Sequence, residues 1–121
     1  MMSSGHRALL AILECPQPMR LLHVSGTVAA RNCAFEDAMS EVAKLHKAAK
    51  DRVRVFRIQH RIEFGENFVT FESMNGSAPW CFHKFQGIEL DKLEFDDSAV
   101  NRKEYQQYLE FLRTRVRRRS K

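Results

Sequence analysis

The sequence lacks any long apolar run: the longest, Ala8 to Leu13, falls far short of the roughly 20 residues that a helix needs to cross a bilayer. No transmembrane segment is expected. Cysteine is scarce too. Cys15, Cys33 and Cys81 lie far apart, form no Cys-x-x-Cys pair and, being three, cannot all be bridged within one chain. Free thiols point to a reducing compartment. A glycine-rich phosphate loop, a nucleophile elbow and a His-Glu-x-x-His zinc motif are all missing. With them goes the expectation of catalysis, a cofactor or a small-molecule substrate. Asn75-Gly76-Ser77 matches a glycosylation triplet, but without a secretory signal it is expected to be a turn, the role that Asn-Gly favours.

Acids are nearly absent from the first 33 positions, which hold Glu14 alone beside Arg7, Arg20 and Arg31. An arginine-bearing, serine-containing, acid-poor start is the composition of a mitochondrial presequence, and equally of an ordinary N-terminal arm. Residues 1–33 are therefore expected to form an N-terminal extension, with 34–121 a single domain. A chain of 121 residues, 44% apolar and with nine Phe, can bury one modest core. Its net charge of +5 is unevenly spread: +2 over 1–33, +2 over 34–64, −5 over 65–100 and +6 over 101–121. A polyanion should be drawn to the ends and the first strand, and turned away by the stretch from Glu89 to Asp97.

Periodicity supplies the elements. Gly5 to Glu14 can form a short helix that Pro16 and Pro18 stop. From Ala34 to Asp51, Phe35, Ala38, Met39, Val42, Leu45 and Ala49 recur at helical spacing after Asn32 as N-cap. Val53 to Phe64 is rich in β-formers but changes parity at Phe56, which a bulge near Val55 would reconcile. Gly65-Glu66-Asn67 should close a hairpin onto a strand from Phe68 to Met74, and Trp80 to Phe85 should make a third strand. Ile88, Leu90, Leu93 and Phe95 extend it or form a short fourth. Asn101-Arg102-Lys103-Glu104 resembles a capping box that opens a last helix, on which Tyr105, Tyr108, Leu109, Leu112 and Val116 share one stripe. The expected fold is α+β: a helix, a three- to four-stranded antiparallel sheet and a helix, a two-layer sandwich with both helices on one face.

Arginine marks the candidate sites. Arg57, Gln59 and Arg61, two apart on the expected strand, would stand about 6–7 Å from one another, close to the spacing of successive phosphates. Arg52 and Arg54 would extend that stripe, which is otherwise the solvated face of a half-buried sheet. Arg113, Arg115, Arg117, Arg118, Arg119 and Lys121 crowd positive charge that repels itself unless an anion or water intervenes. Such a tail suits RNA phosphates, and also an import signal or an anionic membrane surface. Phe71, Trp80, Phe82 and Phe85 could stack unpaired bases, although a domain of this size needs its Phe for packing. Cys81 and His83, with His60, fall short of the four ligands zinc prefers, so no metal is expected. Cys81, His83 and Asp96 supply only the residue types of a nucleophilic triad; Asp96 and Asp97 better suit the cap of the last helix.

The expectation from sequence is a non-catalytic subunit of a ribonucleoprotein, a structural protein of a mitochondrial ribosome contacting RNA phosphates and neighbouring proteins. The alternative is an accessory structural subunit of a mitochondrial respiratory-chain or ATP synthase complex. The compartment would be mitochondrial, or otherwise cytoplasmic.

Overall fold

The computed structural model of the chain describes residues 2–16, 18–74 and 89–116. Its first helix, α1 (Ser4–Glu14), starts where the Ser3 hydroxyl accepts a hydrogen bond from the His6 amide at 3.1 Å. It buries Gly5, Ala8, Leu9 and Ile12, a spacing that puts all four on one side. Gly5 is needed there, because a Cβ would lie 2.0 Å from the Ala34 carbonyl oxygen of the next helix. Strand β1 (Arg20–Ser25) follows, buried from Leu21 to Ser25. Helix α2 (Val28–Ala43) opens on Thr27, whose hydroxyl takes the Ala30 amide at 3.0 Å. It thus begins well before Asn32, the expected cap, and ends before Leu45; Ala49 belongs to a separate short helix, α3 (Lys47–Lys50).

Then come β2 (Val53–Phe56), β3 (Arg61–Phe64) and β4 (Asn67–Ser73), followed by β5 (Lys92–Phe95), α4 (Asp97–Val100) and α5 (Tyr105–Arg113). Where one bulged strand was expected over 53–64, the chain reverses. Phe56 pairs with Arg61 across a turn at 57–60, so the change of parity marks a hairpin and not a bulge. The expected turn at 75–77 and the strand from Trp80 to Phe85 lie outside the described residues, as does Ile88.

The sheet runs β2-β3-β4-β1-β5. Strands β2, β3 and β4 are antiparallel neighbours, whereas β1 lies parallel to both β4 and β5. The α+β class holds, but the sheet is mixed and five-stranded, not an antiparallel sheet of three or four. The physical reason lies in β1. Leu21 and Val69 face α1 and α2 with Ala8, Leu9, Ile12, Phe35 and Ala38, while Leu22 and Val24 face the other way, onto Ala99, Tyr108 and Leu112. A strand that is apolar on both faces wants cover on both, and parallel strands are the ones so buried. Residues 1–33 supply α1, this inner strand and the start of α2. The helices are correspondingly divided, with α1 and α2 on one face and α5 on the other.

The stripe expected on the last helix packs in part: Leu109 is only half-buried, and Phe111, off the stripe, joins the cluster. Tyr108 and Leu112 are fully buried, with Tyr105 and Val116 packed beside them; a buried side chain of that size contributes about 1.5–3 kcal/mol. The cap, however, is Asp96, whose carboxylate accepts from the Ala99 amide at 3.1 Å to start α4, and α5 begins only at Tyr105.

His23 lies between the two layers. Its ring packs on Phe71 with centroids 5.1 Å apart, and Nε2 stands 3.0 Å from the Ser4 hydroxyl. Nδ1 has no hydrogen-bond partner among the described residues. Burial pushes its pKa below the ordinary histidine value, outweighing the opposite pull of the Asp96 and Glu94 charges, so the imidazole is held neutral.

Candidate nucleic-acid interface

Among the described residues, strand β2 is one edge of the sheet and β5 the other. The hairpin that β2 forms with β3 carries four of the arginines singled out in the sequence. Arg52 enters β2 from the preceding turn, exposed, its guanidinium 4.4 Å from the centre of the Phe64 ring. Arg54 is exposed on β2 opposite Glu63. That carboxylate is already bound by the Arg61 Nε at 2.8 Å, which leaves Arg54 without an ion pair among the described residues. Arg57 is exposed in the turn and also makes none there. Arg61 is half-buried, its guanidinium 3.7 Å from the centre of the Phe68 ring.

The strand row of Arg57, Gln59 and Arg61 does not exist, because the first two sit in the turn and the third begins the returning strand. The hairpin still gathers Arg52, Arg54 and Arg57 at one edge. Cation–π contacts orient Arg52 and Arg61 without cancelling their charge.

The C-terminal arginines root elsewhere. Arg113 is exposed at the end of α5. Arg115 is half-buried, 5.2 Å from the Phe111 ring centre, and its carbonyl accepts from the Leu90 amide at 2.8 Å. Val116 bridges Leu90, just ahead of β5. The tail therefore leaves from the β5 side, about 19 Å from β2 over four strand spacings. Arg117, Arg118, Arg119 and Lys121 lie outside the described residues. The two basic groups expected to act together are rooted at opposite edges.

The acidic stretch beside β5 is largely held inside the fold. Asp91, its side chain 5% exposed, accepts from both the backbone amide and the Nε of Arg20, each at 2.9 Å. This pairing raises the Arg20 pKa and keeps its guanidinium charged. Glu89 lies 3.7 Å from the same guanidinium, and Lys92 pairs with Glu94 at 3.0 Å. Asp96 accepts from the hydroxyls of Ser25, at 2.6 Å, and Ser98. Repulsion of a polyanion by this segment is accordingly weaker than its sequence charge suggests.

Catalytic and metal arrangements gain no geometry. Cys81 and His83 lie outside the described residues, and the His60 ring packs on Phe35, centroids 5.1 Å apart. Among the described residues no three His, Cys, Asp or Glu side chains are grouped to hold a metal. Phe71 is a core residue, while Trp80, Phe82 and Phe85 are outside the described set. A groove of about 970 Å³ lies between the hairpin turn and the sheet face opposite α1, with Arg61, Phe68, Thr70 and Leu22 in its wall.

Ile58, within the strand expected over Val53 to Phe64, sits at the turn and is 90% exposed. A signal for it existed: the parity change at Phe56 admits a reversal as readily as a bulge. Comparison with protein-family models, characterised proteins and solved structures finds no match for this chain.

Proposed function

We propose that this chain is a non-catalytic subunit of a ribonucleoprotein that contacts RNA through phosphates, with a mitochondrial ribosome as the assembly its composition suits best. The observation that carries this reading is the β2–β3 hairpin: Arg52, Arg54 and Arg57 are exposed at one sheet edge and make no ion pair among the described residues. Exposed guanidinium groups that no carboxylate engages among the described residues are available to phosphate, and each phosphate neutralised releases a counterion. Arg113 and the tail beyond it would add contacts from the other edge, so that RNA would touch the subunit at two places. The mitochondrial address rests on the acid-poor, arginine-bearing start of the sequence. Since α1 and β1 belong to the core, an address in this stretch would stay on the folded protein.

Two measurements test the reading. Purified protein should bind RNA far more tightly at 50 mM than at 500 mM salt, on the order of a hundredfold or more if three phosphates are neutralised. In extracts the native protein should sediment with an RNA-rich particle that nuclease disperses. Binding indifferent to salt, or co-purification with a detergent-extracted membrane complex, would contradict it.

A further inference from the structure

The hairpin turn is built as a fixed projection. His60 holds φ at +52°, a left-handed conformation uncommon for a residue with a side chain. Two contacts keep it there: the ring lies on Phe35, and the His60 carbonyl accepts from the Phe71 amide at 2.8 Å. The turn is closed by the His60 amide donating to the Arg57 carbonyl at 3.3 Å. Arg57, Ile58 and Gln59 are thereby displayed ahead of the sheet. All three are exposed, and Ile58 stands 90% clear of the protein.

A projecting aliphatic side chain between a guanidinium and an amide fits a particular kind of RNA surface. Unpaired bases are held by stacking on exposed rings or guanidinium planes. Among the described residues, the exposed large apolar side chains are Met2, Val28, Val55, Ile58 and Val100, none of them aromatic. The guanidinium planes of Arg52 and Arg61 already lie on Phe64 and Phe68. The minor groove of an A-form duplex, by contrast, is wide and shallow and lined by riboses with their 2′-hydroxyls. It can take a blunt turn, whereas the minor groove of B-form DNA, about 6 Å wide, cannot.

We infer that the tip of the β2–β3 hairpin binds the minor groove of double-stranded RNA. Ile58 packs on the apolar edges of the riboses, Gln59 exchanges hydrogen bonds with 2′-hydroxyls, and Arg57 and Arg54 pair with phosphates at the groove wall. The inference rests on the RNA reading above and narrows it to duplex RNA recognised by shape.

The test measures fluorescence anisotropy of the full chain with a 20-base-pair RNA duplex, one of its strands alone, and a DNA duplex of the same sequence. Duplex RNA should bind at least about tenfold more tightly than either competitor. Ile58→Ser should weaken duplex binding about fivefold without changing its salt slope, since the contact is apolar. Arg57→Ala should make that slope shallower by about one. Both positions are exposed, and circular dichroism confirms that the variants fold. Equal or tighter binding of the single strand or of DNA, or an unchanged affinity for Ile58→Ser, would overturn the groove assignment while the RNA reading stands. Binding of none of the RNAs would overturn both.

Discussion

The two edges of the sheet carry opposite charge and use it differently. At the β5 edge the acids are occupied: Asp91 by Arg20, Glu94 by Lys92, and Asp96 by two hydroxyls and the amide that starts α4. At the β2 edge Arg52, Arg54 and Arg57 are exposed, and among the described residues only Arg61 of the hairpin arginines has an ion pair, with Glu63. Charge at the first edge therefore serves the fold, and charge at the second is available to a partner. Equal counts of charge in a sequence need not mean equal availability.

That contrast can be broken or sharpened, the largest effect first. Asp96→Ala removes a helix cap and leaves two buried-side hydroxyls without their acceptor. It should cost about 2–4 kcal/mol of stability in urea unfolding; a loss under about 0.5 kcal/mol would mean that the β5 acids are not structural. Asp91→Ala should cost about 2 kcal/mol, because the Arg20 amide loses its acceptor and the guanidinium keeps only Glu89, at 3.7 Å. This deletion should also expose a cation and strengthen RNA binding slightly. Both outcomes place the acid in the fold and not at a binding surface.

His23, between the edges on β1, gives the pH dependence. Its folded pKa lies below the unfolded value of about 6.5, so the unfolded chain takes up the proton first. The stability held by the neutral ring is complete above that pH and declines as pH falls below it, towards the folded pKa. His23→Gln keeps a hydrogen-bonding partner for Ser4 and should flatten this part of the curve. A wild-type urea midpoint constant between pH 7.5 and 5.5 would show that the ring is not held neutral.

The smallest effect on stability belongs to the hairpin. Replacing Arg54 and Arg57 with Gln should change unfolding free energy by no more than about 0.5 kcal/mol, as expected for exposed side chains that make no ion pair among the described residues. A larger loss would show that these arginines belong to the fold, and the contrast between the edges would fail.

What the sequence made legible follows the range of the interactions involved. Helix α1 was expected at Gly5–Glu14 and spans Ser4–Glu14; β4 was expected at 68–74 and spans Asn67–Ser73. In both, the periodicity and the punctuation by proline or glycine are local. Strand β1 was not recognised, because Leu21-Leu22-His23-Val24 is buried on both faces and so has no alternation to detect. Its parallel pairing with β5 joins residues 71 apart, as Arg20 and Asp91 show, and no local pattern announces it. The same limit governed the site. The arginines of 52–61 stood out by residue type. Which of them are paired depended on Glu63, which stands opposite Arg54 across the hairpin but binds Arg61 two residues back on its own strand, and the parity change alone left that hairpin ambiguous.

The claim that charge at the β2 edge is kept for a polyanion is tested most directly by the salt dependence of RNA binding, compared between the wild-type chain and an Arg52→Gln, Arg54→Gln, Arg57→Gln variant. With each guanidinium meeting one phosphate, the logarithmic slope of the variant should be shallower by about 2 to 3, with folding intact. Superimposable slopes would contradict the account and move the contact away from this hairpin.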